Sequence, residues 1–231
     1  MNPYNKEQFA AEFQNSSLMK AAQDSFGERT VLIFDNHDNT RTPTPREAAF
    51  YQVTNRPVFS VVPFYYLNYL LELNPTMIAD IGCGSNLFKR VIPIIHGIDP
   101  SRDNTAADEF DFFDTEFSQG HTNYYPSAFS INAIHFVSIT SLHDRILEFA
   151  NIIKPGGRGF LALNSKRMIE NTSPLDRLTV FNSMNPTTLA ISDYCDEVIK
   201  NLPLNLLVAE NLITKYEDEG MNGNIRLVFE K

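Results

Sequence analysis

The chain has 231 residues and a formal charge of −9, from 19 Lys and Arg against 28 Asp and Glu. At 43% hydrophobic and 20% charged residues it can bury a core, which excludes global disorder, and its length fits one large α/β domain or a domain with an embellished terminus. The acidic balance argues against a broad nucleic-acid-binding face while leaving room for a local basic groove. Cys83 and Cys195 are too few and too far apart for a disulfide framework or a zinc site, so reduced thiols in a cytoplasm are the simplest reading. The first residues, Met1 to Glu7, are polar and carry no apolar signal core. The greasiest stretch, Pro57 to Leu73, is interrupted by Ser60, Pro63, Asn68 and Glu72. It falls short of the ~20 apolar residues of a membrane span, which predicts a buried helix in a soluble protein.

Taken in chain order, Phe9, Ala10, Phe13, Leu18, Ala21 and Ala22 recur at helical spacing, predicting a helix from Glu7 to Phe26 that stops at Gly27. Thr30 to Phe34 is a short strand or extended segment, and Asp35 to Thr44 an exposed turn-rich loop. Thr44-Pro45-Arg46-Glu47 has the form of a capping box with proline in the first helical position. A further helix is expected from about Ser60 to Asn74, where Pro75 ends it. The pattern then changes to alternating strands and helices. Strands are expected at Met77–Ile81, Ile92–Ile98, Phe110–Phe113, Ala133–Ile139 and Gly159–Leu163. Helices are expected at Asp144–Ile153 and Thr187–Asn201. The segments Leu204–Lys215 and Asn224–Glu230 form an antiparallel hairpin around Gly220-Met221-Asn222-Gly223. Such an order indicates an α/β fold with a doubly wound, mostly parallel sheet. Residues 1–75 are a mainly helical N-terminal extension or cap, and residues 76–231 the sheet domain.

The strongest chemical signal is Ile78-Ala79-Asp80-Ile81-Gly82-Cys83-Gly84-Ser85-Asn86, where a strand hands over to a helix expected near Ser85. Gly82 and Gly84 admit backbone conformations and close ligand approach denied to other residues, and Asn86 tolerates left-handed geometry. The next strand ends in His96-Gly97-Ile98-Asp99-Pro100. A carboxylate at Asp99 can accept both hydroxyl hydrogen bonds of a ribose lying across the strand ends, at close to the ~20-residue spacing of a nucleotide-binding unit. A dinucleotide fingerprint would need a third glycine where Leu87 stands.

These residues resemble the class I S-adenosylmethionine-dependent methyltransferases over about Met77 to Lys231. Asp80 to Asn86 is similar to the family's glycine-rich motif, Asp99 to its ribose-binding acid, and Asp114 to the residue near the adenine amino group. Ile152-Ile153-Lys154-Pro155-Gly156-Gly157-Arg158-Gly159 resembles the turn into the fifth strand, and the terminal hairpin the family's sixth and seventh strands. The resemblance implies a seven-stranded, Rossmann-like methyltransferase fold. It also implies S-adenosylmethionine as cofactor, held by Asp80, Gly82, Cys83, Gly84, Asn86, Asp99 and Asp114. There are departures. Ser130-Ile131-Asn132-Ala133-Ile134 lacks the acid the family often places before its fourth strand, and no N-P-P-Y or D-P-P-Y tetrapeptide follows that strand, which argues against amino methylation of a nucleobase.

His143, beside Asp144, is the candidate catalytic base, although a place in a helix N-terminus explains it too. His135, Tyr65, Tyr66 and Tyr69 fit a packed core better than a site. Arg29, Arg41, Arg46 and Arg56 offer a charged N-terminal surface that a phosphate or carboxylate could use. The expected function is methyl transfer to a small molecule or peptide by a cytoplasmic enzyme, with no metal. The alternatives are a non-catalytic binding or assembly protein that retains the fold, or an RNA-directed methyltransferase.

Overall fold

The computed structural model describes residues 5–26, 31–33, 58–60, 62–100, 106–134, 142–164, 188–216, 220–222 and 224–231. The predicted helix at Thr44, Arg29, Arg41, Arg46, Arg56 and His135 lie outside these residues, as does the loop from Asp35 to Thr44. The chain opens with α1 (Lys6–Gln14) and α2 (Ser17–Phe26), the short parallel pair β1 (Val31–Ile33) and β2 (Val58–Ser60), and α3 (Val62–Leu71). There follow β3 (Ile78–Ile81), a 3₁₀ turn (Phe88–Arg90), β4 (Ile95–Ile98), α4 (Thr115–Gly120), β5 (Tyr125–Ile131), α5 (Leu142–Asn151) and β6 (Ile153–Asn164). Helix α6 (Thr188–Lys200) leads to β7 (Asn205–Asn211), β8 (Thr214–Tyr216), β9 (Gly220–Asn222) and β10 (Asn224–Glu230).

The main sheet has the order β4-β3-β5-β6-β10-β7. Strands β4, β3, β5 and β6 run parallel, and β10 is antiparallel to both neighbours. All four residues of β3 are buried, as expected of a strand covered on both faces. On one face Ala79, Ile81, Ala128, Leu161 and Leu227 pack with Phe117, Ile146, Phe149 and Cys195 from the helices. On the other, Ile78, Phe129, Phe160 and Val228 pack with Phe9, Phe13, Ala22, Phe64 and Leu67. The described part of residues 1–75 therefore buries into the same apolar cluster as the sheet. Tyr66 lies flat on Phe160 at 4.8 Å and donates its hydroxyl to Glu210 at 2.7 Å, while Arg226 donates to that hydroxyl at 2.9 Å. No described helix is long and apolar enough to cross a membrane.

The structure departs from the sequence reading at several places. The expected helix from Glu7 to Phe26 is two helices, because the Ser16 hydroxyl accepts from the Met19 N–H and starts α2 afresh. The expected strand Phe110–Phe113 is reduced to a single parallel bridge between Ile98 and Glu109, so six strands rather than seven make up the described sheet. Phe110 and Phe112 are 51% and 66% exposed, which leaves Phe113 to anchor that segment to the core. The fourth strand is Tyr125–Ile131 rather than Ala133–Ile139, of which residues 135–139 lie outside the described ones. Its fully buried Ser127 and Ser130 disguise it in a hydropathy reading. Gly220–Asn222 is a strand paired with Thr214–Tyr216, and not the turn of the hairpin. The fifth strand extends back through Lys154-Pro155-Gly156-Gly157. A side chain at Gly157 would lie 2.2 Å from the Pro126 carbonyl, so a glycine is needed there.

Burial of Phe13 at 2% exposure ties the N-terminal helices to the sheet. Phe13→Ala should therefore cost about 3–5 kcal/mol in urea unfolding, whereas Phe112→Ala, at the exposed edge, should stay within about 0.5 kcal/mol. Equal effects would mean that the N-terminal helices fold apart from the sheet.

Candidate functional site

The site forms where β3 ends. In this sheet β3 pairs with β4 on one side and β5 on the other, so the winding reverses at β3, and such a reversal opens a crevice beyond the carboxyl ends of the strands. The loop at that end is locked by two N–H groups, of Gly82 and Cys83, donating to one carbonyl, Ile98, at 2.7 and 3.1 Å. Gly82 and Gly84 have φ of 77° and 52°. Their roles differ. A Cβ on Gly82 would lie 2.1 Å from the Ala133 Cβ, so the loop after β5 demands a glycine there; a Cβ on Gly84 would meet nothing within 4 Å. Gly84 thus presents bare backbone to open space, and its N–H donates to Asp99 Oδ2 at 2.9 Å. The expected α-helix at Ser85 is absent: left-handed backbone at Gly84 and at Asn86 (φ 49°) gives turns and then the 3₁₀ segment.

Asp80 is 3% exposed, and among the described residues nothing donates to its Oδ2. Burial, and after it the like charge of Asp99, pushes its carboxyl well above the usual carboxylate range. The Cys83 thiol is pushed up to about 12 by burial and then by Asp80, Asp99 and Asp108, so it is neither a thiolate nucleophile nor a ready metal ligand. Asn86 turns its side chain inward. Its amide donates to the Ala106 carbonyl at 2.8 Å and to Asp108 at 3.2 Å, and it fills the space a side chain on Gly97 would need. Asp108 also accepts from the Gly97 N–H at 2.8 Å and pairs with Lys89. Burial alone would raise its carboxyl; Lys89, Gly97 and Asn86 outweigh that and hold it below the usual range. Asp108 and Lys89 thus brace the loop, and no sequence motif marks them; the glycine inside strand β4 was the available signal for close packing there.

The remaining candidates separate. Asp114 is the N-cap of α4, accepting from the Phe117 N–H at 2.9 Å. His143 lies in the first turn of α5, partly exposed, with Nδ1 3.4 Å from Asp144. Tyr65, Tyr66 and Tyr69 belong to α3 and the opposite core, Tyr66 being fully buried. Because β5 ends at Ile131, the segment Ser130–Ile134 spans the end of the strand and the turn beyond it, at the crevice, and does not precede the strand. Ser130 donates to the Ile81 carbonyl at 2.8 Å and joins the ends of β5 and β3. Asn132 has φ 55°, and its buried Oδ1 has no hydrogen-bond partner among the described residues. The left-handed Asn132 and the Ser130 link were missed because the strand had been placed too late. No group of three His, Cys, Asp or Glu suited to a metal ion occurs among the described residues.

No family model matches the chain, and no curated protein matches it by sequence. Solved structures with a similar fold include TehB from Haemophilus influenzae, at 11% identity and a TM-score of 0.47, covering 80% of this chain and 67% of that one. An S-adenosylmethionine-dependent methyltransferase from Mesorhizobium loti has 14% identity and a TM-score of 0.46, covering 73% of this chain and 97% of that one. Geranyl diphosphate methyltransferase, solved with GPP and sinefungin, has 12% identity and a TM-score of 0.47, covering 97% and 98%. At these values the fold assignment rests on this chain's own strand order, and the site on its own geometry.

Two stability predictions follow from that geometry. Gly84→Ala should cost only the ~1–2 kcal/mol of left-handed backbone, while Gly82→Ala should add about 1–3 kcal/mol of overpacking against Ala133. Equal losses in urea unfolding would contradict the close approach at Gly82. For Asp80 the folded carboxyl is raised, so its contribution to stability is fully present below ~3.9, the unfolded value, and is lost as pH rises through the folded value. Asp80→Asn should accordingly be more stable than the parent protein at neutral pH, with the gap closing toward pH ~4. A gap that widens on acidification would show that the buried carboxylate is stabilising.

Proposed function

We propose that the chain is an S-adenosylmethionine-dependent methyltransferase. The observation that carries this reading is the pairing, at the reversal of the sheet, of open backbone at Gly84 with the Asp99 carboxylate at the end of the next strand. Asp80, buried beneath them with an Oδ2 that has no hydrogen-bond partner among the described residues, is a second sign that the crevice suits a ligand with a cationic end. In this reading Asp80 to Gly84 hold the methionine portion, Asp99 accepts from the ribose hydroxyls, and Asp114, besides capping α4, lies toward the adenine. Asn86 supports the loop by bracing it from below.

Bound S-adenosylmethionine supplies a methyl group already activated on a sulfonium. What the protein must do is hold that methyl in line with an acceptor atom and keep both in place, and orientation can supply much of the acceleration. A strong base is not required, so His143 need not take part. Asn132, whose buried Oδ1 at the crevice has no hydrogen-bond partner among the described residues, is placed to accept from an N–H or O–H of the acceptor. The acidic chain and the absent nucleobase tetrapeptide favour a small molecule or peptide as acceptor, handled in the cytoplasm.

Calorimetry with S-adenosylmethionine and S-adenosylhomocysteine tests the reading, and binding of both is expected. Gly84→Val should abolish binding of both while the protein stays folded, since its side chain would fill the open backbone face. In Asp99→Asn the amide oxygen can keep the Gly84 bond while its NH₂ faces the ribose, and affinity for both ligands should fall roughly 10- to 150-fold, the loss of one charge-assisted hydrogen bond. Unchanged affinity in either folded variant would remove the assignment of that residue.

A further inference from the structure

Asp80 is a buried acid with no visible balancing charge among the described residues. It sits on β3 opposite Gly97 of β4 and Phe129 of β5, neither of which has a side-chain donor. The α3 side of this face brings apolar residues such as Phe64 and Leu67. The titratable groups acting on it from its surroundings are Asp99, at the end of β4, and Cys83, in its own loop; Asp108, beside β4, acts on the same loop through Cys83. Asp99 accepts the Gly84 N–H and has partial access to solvent. Asp80 has 3% exposure and an Oδ2 to which none of the described residues donates. A carboxyl group kept from donors and water beside a second acid is held in its neutral form.

Resting on the function proposed above, whose ligands carry an ammonium on their amino-acid end, we propose that ligand binding is coupled to release of the Asp80 proton. In the free site Asp80 is a neutral carboxylic acid. When the ammonium docks, the O–H proton passes to solvent, and a buried carboxylate–ammonium pair replaces it; no other bond changes. Asp80 thereby acts as a positioning residue that makes affinity depend on pH. Affinity should rise ~10-fold per pH unit while the free site holds the proton, and level off above that range.

The test is calorimetry of S-adenosylhomocysteine on the full chain, in phosphate and in imidazole at matched pH, from about pH 6 to 8. Expected are binding heats that differ between the buffers by close to one released proton at the acidic end, and the rise in affinity with pH. Methylthioadenosine, which keeps the nucleoside and lacks the amino-acid end, should bind with no buffer-dependent heat. Asp80→Asn, checked for folding by thermal unfolding, should bind S-adenosylhomocysteine more weakly, with a flat pH profile and no proton release. The proposal is overturned by S-adenosylhomocysteine binding whose heat and affinity ignore buffer and pH. It is equally overturned by the same proton release with methylthioadenosine or in Asp80→Asn. Should that variant not fold, the comparison of the two ligands on the parent protein decides. Absence of S-adenosylhomocysteine binding at every pH would instead overturn the methyltransferase reading, and the coupling with it.

Discussion

The close approach of Gly82 to Ala133 is the constraint on which the site depends. It brings the ends of β3 and β5 together so tightly that no side chain fits between them, and the Ser130 bond to the Ile81 carbonyl holds the same junction from the β5 side. With β5 pinned there and β4 pinned by the two N–H groups on Ile98, the loop between them has one course. That course leaves Gly84 facing outward and Asp99 within hydrogen-bond reach of it. The crevice is thus a by-product of how three parallel strands are joined, and its chemistry comes from the few side chains at their ends.

The loop is held from below by an unusual set of groups for so short a segment. Asn86 covers Gly97, and Asp108 ties Asn86, Lys89 and the Gly97 backbone together. Every one of Asp108's bonds favours its charged form, whereas Asp80, on the neighbouring strand, has no donor to its Oδ2 among the described residues and is driven toward its neutral form. Two carboxylates of one site are thereby pushed in opposite directions by their surroundings. One serves as a brace; the other is left at a cost that a cationic ligand would offset.

The N-terminal helices contribute to this arrangement at a distance. Phe9, Phe13, Phe64 and Phe88 form a run of ring contacts that ends on Phe129, the register partner of Asp80. The apolar packing that keeps water away from Asp80 on that face therefore includes residues far from the glycine motif. Tyr66, Glu210 and Arg226 supply the polar counterpart, joining α3 to the last strands of the sheet.

The alternation of apolar segments, the glycine pair and the acid at the end of the next strand were legible in the sequence, because each depends on local backbone preference or on a two- or four-residue spacing. From these came the α/β class, the mostly parallel sheet, the antiparallel last strand and the positions of Asp80, Gly82, Gly84 and Asp99. The fourth strand was read too late because its two buried serines satisfy partners that only the assembled sheet provides, or none. The third was read as a strand because its phenylalanines look buried until the fold leaves two of them outside. Whether Asn86 faces a ligand or Gly97, whether Asp114 caps a helix, and which of two carboxylates is deprived of donors depend on contacts between residues distant in the chain. Those are matters of desolvation and close packing, set by the neighbours that the tertiary fold brings in, and no run of residues contains them.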